Sequence, residues 1–173
     1  GFTTYLERRI VEQVYGRRLA DMGRIIGLRD LAQARADLSV PRDRSLLPDL
    51  AGPDPDDAYS VVPYEQGALF LSLLKSKFGR GAFDAFLRRW FDEHAFESVT
   101  TAQFLEFLST HLLSTKPGAV TDAQIQEWLN SEGIPPFAVM PKSDALEKVE
   151  QERDAWLKGG SVDTLAATAS AWS

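Results

Sequence analysis

Apolar residues recur at steps of three and four along most of this 173-residue chain, and strand-type alternation is scarce. That period places hydrophobic side chains on one face of a helix, so the spacing predicts an all-α fold, an irregular multi-helix bundle. A chain of this length hides roughly 70% of its unfolded surface, enough for a core. The first helix spans 3–15, with Leu6, Ile10, Val11 and Val14 inward, and Gly16 breaks it. A second spans 17–37, with Leu19, Met22, Ile25, Ile26, Leu28 and Leu31 inward and a bend expected near Gly23 and Gly27. The third, 64–78, is apolar on more than one side and belongs near the centre of the fold, with Gly79 as its left-handed terminator. The fourth, 81–94, offers Phe83, Phe86, Leu87, Trp90 and Phe91, expected in the core with Phe104 and Phe107 of the fifth. Thr100 with Gln103 reads as a capping box, Thr121 caps a sixth helix, and Ser143 caps a polar seventh reaching 158.

One interval breaks the period. Residues 38–63 hold five prolines and the acids Asp43, Asp49, Asp54, Asp56 and Asp57. Leu46, Leu47, Leu50, Tyr59, Val61 and Val62 need cover, which favours a long ordered loop over a solvated linker. Irregular stretches of this length inside a domain are more often functional than accidental.

Composition and motifs exclude much. Nineteen basic against twenty-five acidic residues give a net charge of −6, with no basic excess for nucleic-acid phosphates. No run of 18 apolar residues occurs, so no membrane-spanning helix is expected. Cysteine is absent, which removes thiolate ligands and nucleophiles and suits cytoplasm and periplasm equally. His94 and His111 stand 17 positions apart, so no H-E-x-x-H pair can share a helix face, and both read as structural or solvated. No phosphate loop, dinucleotide turn or nucleophile elbow is present either. The opening Gly1-Phe2-Thr3 reads as the start of an excised piece.

The most informative stretch is Asp54-Pro55-Asp56-Asp57-Ala58-Tyr59-Ser60-Val61-Val62-Pro63-Tyr64-Glu65-Gln66-Gly67. Pro63 suits a helix start, because its missing N–H leaves no donor unpaired there. Glu65 complements the positive end of the helix dipole. A tyrosine at such a start can hold its hydroxyl near that end and donate to an oxyanion. A calcium loop would need a ligand at Ala58 and a glycine at Tyr59, and has neither. A structural role, with the tyrosines as amphipathic fillers, stays open at this point.

This stretch resembles the gluzincin aminopeptidases of the M1 type, in the branch of leukotriene A-4 hydrolase and aminopeptidase B. The opening Gly1-Phe2-Thr3-Thr4-Tyr5-Leu6-Glu7-Arg8 is similar to the residues following the N-E pair of that family. Ser98-Val99-Thr100-Thr101, Gln126-Glu127-Trp128-Leu129 and Gly133-Ile134-Pro135-Pro136 match it in order and spacing. The resemblance implies that residues 1–160 are the helical half of a zinc aminopeptidase catalytic domain, a thermolysin-like helical subdomain. Residues 161–173 would then start a connector to a further domain. It implies zinc in the parent enzyme, with the ligands, the general-base glutamate and the amine-reading strand ahead of Gly1, so that no residue of this chain is a metal ligand.

Tyr64 matches the family's oxyanion donor. Tyr59, Asp56, Pro55 and Pro63 fall on the substrate-cleft wall, and Glu7, Thr3 and Thr4 lie close in sequence to the missing metal-binding glutamate. Gln66 stands where the branch commonly has lysine. The implied partners are a peptide with a free amino terminus and the rest of the same catalytic domain. The alternative reading is a non-enzymatic helical interaction module with an acidic loop.

Overall fold

The structure is a computed structural model describing residues 1–48, 54 and 59–169. Its helices are α1 (Phe2–Tyr15), α2 (Arg17–Asp37), α3 (Val62–Phe78), α4 (Arg80–Glu93), α5 (Thr101–His111), α6 (Asp122–Asn130), α7 (Asp144–Leu157) and α8 (Val162–Ala169). Short 3₁₀ turns occupy Pro41–Arg44 and Leu113–Thr115, and no strand occurs among the described residues. The all-α expectation therefore holds. The chain divides into two compact units, Gly1–Tyr5 with Leu31–Val139 and Leu6–Asp30 with Met140–Ser173.

In the first unit α3 is the central element. Val62, Gln66, Gly67, Ala68, Leu69, Phe70, Leu71, Leu73 and Leu74 are buried, which takes more than one helical face. Phe83, Phe86, Leu87 and Trp90 of α4, Phe107 and Leu108 of α5, and Ile125, Trp128 and Leu129 of α6 complete the core. Trp90 meets Phe104 and Phe107 edge-on, each at 5.2 Å between centroids, and Phe70 stacks on Trp128 at 5.7 Å. Each fully buried ring of this kind contributes about 1.5–3 kcal/mol of transfer free energy.

Local chemistry sets the ends of these helices. Thr100 with Gln103 and Thr121 with Gln124 form complete capping boxes, and Ser143 accepts from the Leu146 amide. Gly79 has φ 83° and ψ 154°, a positive-φ conformation open to glycine, though not the left-handed helical one expected, and α4 starts at the next residue. The α3 helix begins at Val62, two residues ahead of expectation, because the Ser60 hydroxyl accepts from the Val62 amide at 3.3 Å.

The described part of the 38–63 interval is tied down. The Arg44 guanidinium donates to the Leu38 carbonyl, Ser45 is buried, and the Leu47 amide donates to the Leu129 carbonyl at 2.9 Å. Residues 49–53 and 55–58, on which the rest of the expected ordered loop falls, lie outside the described residues.

Several apolar expectations need correction. Phe91 is 43% exposed, because it sits one position past Trp90 and so about 100° around α4 from the buried face. In the second unit the α1 stripe is open: Ile10 and Val14 are each 63% exposed, and Leu6 is exposed too. On α2, Leu19 and Ile26 are exposed while Ala20 is buried, and the helix continues through Gly23 and Gly27. An apolar period identifies a helix face, but burial also needs a facing surface. What the second unit shows instead is polar linkage: Arg24 pairs with Glu12 at 2.9 Å and with Asp21 at 2.6 Å, and Arg29 with Glu150.

Candidate active site

Pro63 fills one of the first two positions of α3, and Val61 ahead of it makes no side-chain cap. The Tyr64 and Glu65 amides turn back to the Val61 carbonyl at 3.1 and 3.0 Å, which closes the first turn. Tyr64 therefore sits at the positive end of the helix dipole, and Glu65 adds the acid that this end favours.

From that turn the Tyr64 ring projects outward. It is 40% exposed, Tyr59 is 75% exposed, and their hydroxyls lie 3.0 Å apart with the rings nearly edge-on. The hydrogen bond to Tyr59 holds the Tyr64 phenol above its ordinary pKa of 10.0, because it favours the protonated form. At neutral pH Tyr64 is thus an O–H donor at a helix N-terminus, which suits it to stabilise developing negative charge.

Gly1 packs against the same segment. A Cβ on Gly1 would lie 2.9 Å from the Gly67 Cα and 3.3 Å from the Pro63 carbonyl oxygen. The start of α1, carrying an exposed Thr3 and a half-buried Thr4, thereby meets the first two turns of α3. A mostly apolar groove of about 430 Å³ opens beside this junction, lined by Phe2, Pro63, Phe70, Trp90, Phe104 and Leu129 among others.

Of the residues singled out in the sequence, Tyr59, Pro63 and Tyr64 come together here. Glu7 is exposed and belongs to the second unit. Pro55 and Asp56 lie outside the described residues.

The sequence marked Gln66 only as a departure from the lysine common in the branch, with no role attached. It is fully buried, its Nε2 donates to the Trp128 carbonyl at 3.1 Å, and its Oε1 accepts from the Arg35 guanidinium at 2.5 Å. The available signal was a lone amide leading into an apolar run.

Both histidines are engaged through Nδ1. His94 Nδ1 donates to the Trp90 carbonyl, with its ring 4.0 Å from the indole, and the Arg89 guanidinium donates to His111 Nδ1 at 2.9 Å. No cluster of three potential ligands occurs among the described residues. No helix among them is long and apolar enough to cross a membrane.

The Peptidase family M1 domain matches residues 1–131 of the chain. The chain belongs to peptidase family M1. Its curated relatives include leucine aminopeptidase 2-1 of Meyerozyma guilliermondii, 32% identical over 159 residues, covering 90% of this chain and 26% of that protein. Leucine aminopeptidase 2 of Ajellomyces capsulatus is 36% identical over 141 residues, covering 79% of this chain and 22% of that one. Among solved structures, yeast LTA4 hydrolase in complex with bestatin superposes with a TM-score of 0.83 at 32% identity, covering 91% of this chain and 25% of that one. This M1 chain thus spans about a quarter of the length of its relatives. The all-α architecture and the leukotriene A-4 hydrolase-like branch both stand, and a free-standing interaction module is not favoured.

Proposed function

We propose that residues 1–160 form the helical half of the catalytic domain of an M1 aminopeptidase, which removes amino-terminal residues from peptides, and that 161–173 begin a connector. The supporting observation is the Tyr64 hydroxyl, exposed at the N-terminus of α3 beside the Tyr59 hydroxyl, in a chain of this family. In this reading Tyr64 donates to the scissile carbonyl oxygen as the carbon becomes tetrahedral. Donation strengthens as charge builds on that oxygen, so it lowers the barrier more than it tightens substrate binding. A phenol has one proton to give, so the substrate oxygen replaces Tyr59 as its acceptor.

Tyr59 and Pro63 form cleft wall in this account, and Pro55 and Asp56 extend it through the sequence resemblance, with Asp56 favouring basic or polar side chains. Thr3, Thr4 and Glu7 support the metal-binding side. By the family resemblance, zinc would be held by residues ahead of Gly1 in the full-length protein; the described residues contain no cluster of three potential ligands. When bound, it would supply Lewis-acid polarisation and an activated water. The exposed Leu6, Ile10 and Val14 stripe on α1 fits burial against other parts of that protein.

The test is amino acid release by the full-length protein from a peptide with a free amino terminus and from its N-acetylated form. Release from the free form only, abolished by a chelator and restored by zinc, is expected. No release from either form, or equal release from both, overturns the reading.

A further inference from the structure

Gln66 has no solvent exposure, and a buried amide is tolerated only where its hydrogen bonds are made. Its side chain donates to the Trp128 carbonyl and accepts from Arg35, while its own carbonyl accepts from the Trp128 indole at 3.4 Å. One residue therefore clasps α3 twice to α6 and once to the end of α2. Among the described residues the buried Arg35 Nε has no hydrogen-bond partner, burial lowers the pKa of this guanidinium, and its Nη2 donates to Gln66.

Two positions along a helix amount to a turn of about 200°, which puts Tyr64 on the face opposite Gln66. The exposures agree, 40% against 0%. Any rotation of α3 that swung the phenol would strain all three bonds together.

We propose that Gln66 is a positioning residue for Tyr64: its bonds to Trp128 and Arg35 set the rotation of α3 and so aim the phenol, without touching the reacting atoms. This rests on Tyr64 being the oxyanion donor. Displacing a catalytic group by 1 Å can lower turnover by about 10²-fold, so a small rotation has a measurable consequence.

The experiment measures kcat and KM separately on an amino acid anilide for the full-length protein, Gln66→Met, Tyr64→Phe and the double variant. Gln66→Met is expected to lower kcat about tenfold with KM within about twofold, and to lower it less than about twofold further when Tyr64 is already Phe. Gln66→Glu, which keeps an acceptor for Arg35, should recover part of the loss. If Gln66→Met leaves kcat unchanged, or lowers it by the same factor in both backgrounds while Tyr64→Phe is impaired, the positioning role is overturned and the oxyanion role stands. If Tyr64→Phe itself is unimpaired, both fall. Should Gln66→Met fail to fold, Arg35→Met removes one of the same bonds, and the same additivity criterion decides.

Discussion

The hydroxyls of Tyr59 and Tyr64 lie 3.0 Å apart, and this hydrogen bond is the leading cause of the raised Tyr64 pKa. A donor is useful only while it keeps its proton, and the raised pKa extends that range upward in pH. Tyr59→Phe removes the acceptor, so the Tyr64 pKa falls back toward 10.0. The alkaline limb of the kcat profile should then move to lower pH, as read from the pH dependence of turnover in the full-length enzyme. An unmoved limb would show that Tyr59 does not set this titration.

Backbone meets backbone where Gly67 faces Gly1. A Cβ on Gly67 would lie 2.8 Å from the Gly1 Cα, a backbone atom that cannot swing away. Gly67→Ala should therefore destabilise the fold by about 1–3 kcal/mol, as overpacking does. Gly23, inside α2, has nothing within 4 Å of the same position, so Gly23→Ala should stabilise by about 0.4–1 kcal/mol. Denaturant midpoints of the two variants should move in opposite directions.

The Thr121 cap carries a similar consequence for α6, the helix that presents Trp128. Thr121→Ala removes the acceptor for the Gln124 amide and should lower stability by about 1 kcal/mol. A control at Ala123, exposed on the same helix and outside the cap, should shift the unfolding midpoint far less when changed to serine.

Much of the fold was legible because its signals are local. Thr100 and Thr121 each precede a glutamine by three, and that spacing alone specifies a reciprocal cap. The central place of α3 followed from an apolar run too wide for one face. What failed needed knowledge of the opposite surface: Ile10, Val14 and Phe91 lie on apolar helices, yet nothing in a period says what covers them. At the site, Pro63 and Glu65 marked the helix start that carries Tyr64. Gln66 stood out only as a lone amide before an apolar run, and its role is explained by its partners, Arg35 and Trp128, which lie 31 and 62 positions away.

Turnover by Tyr64→Phe in the full-length enzyme isolates the phenol's contribution, since the change removes one hydroxyl from a ring that is already at the surface. The expected result is a kcat lower by about 10²–10³-fold with zinc content unchanged. A variant that keeps more than about half of its turnover would contradict it, because losing a preorganised oxyanion donor has a far larger effect.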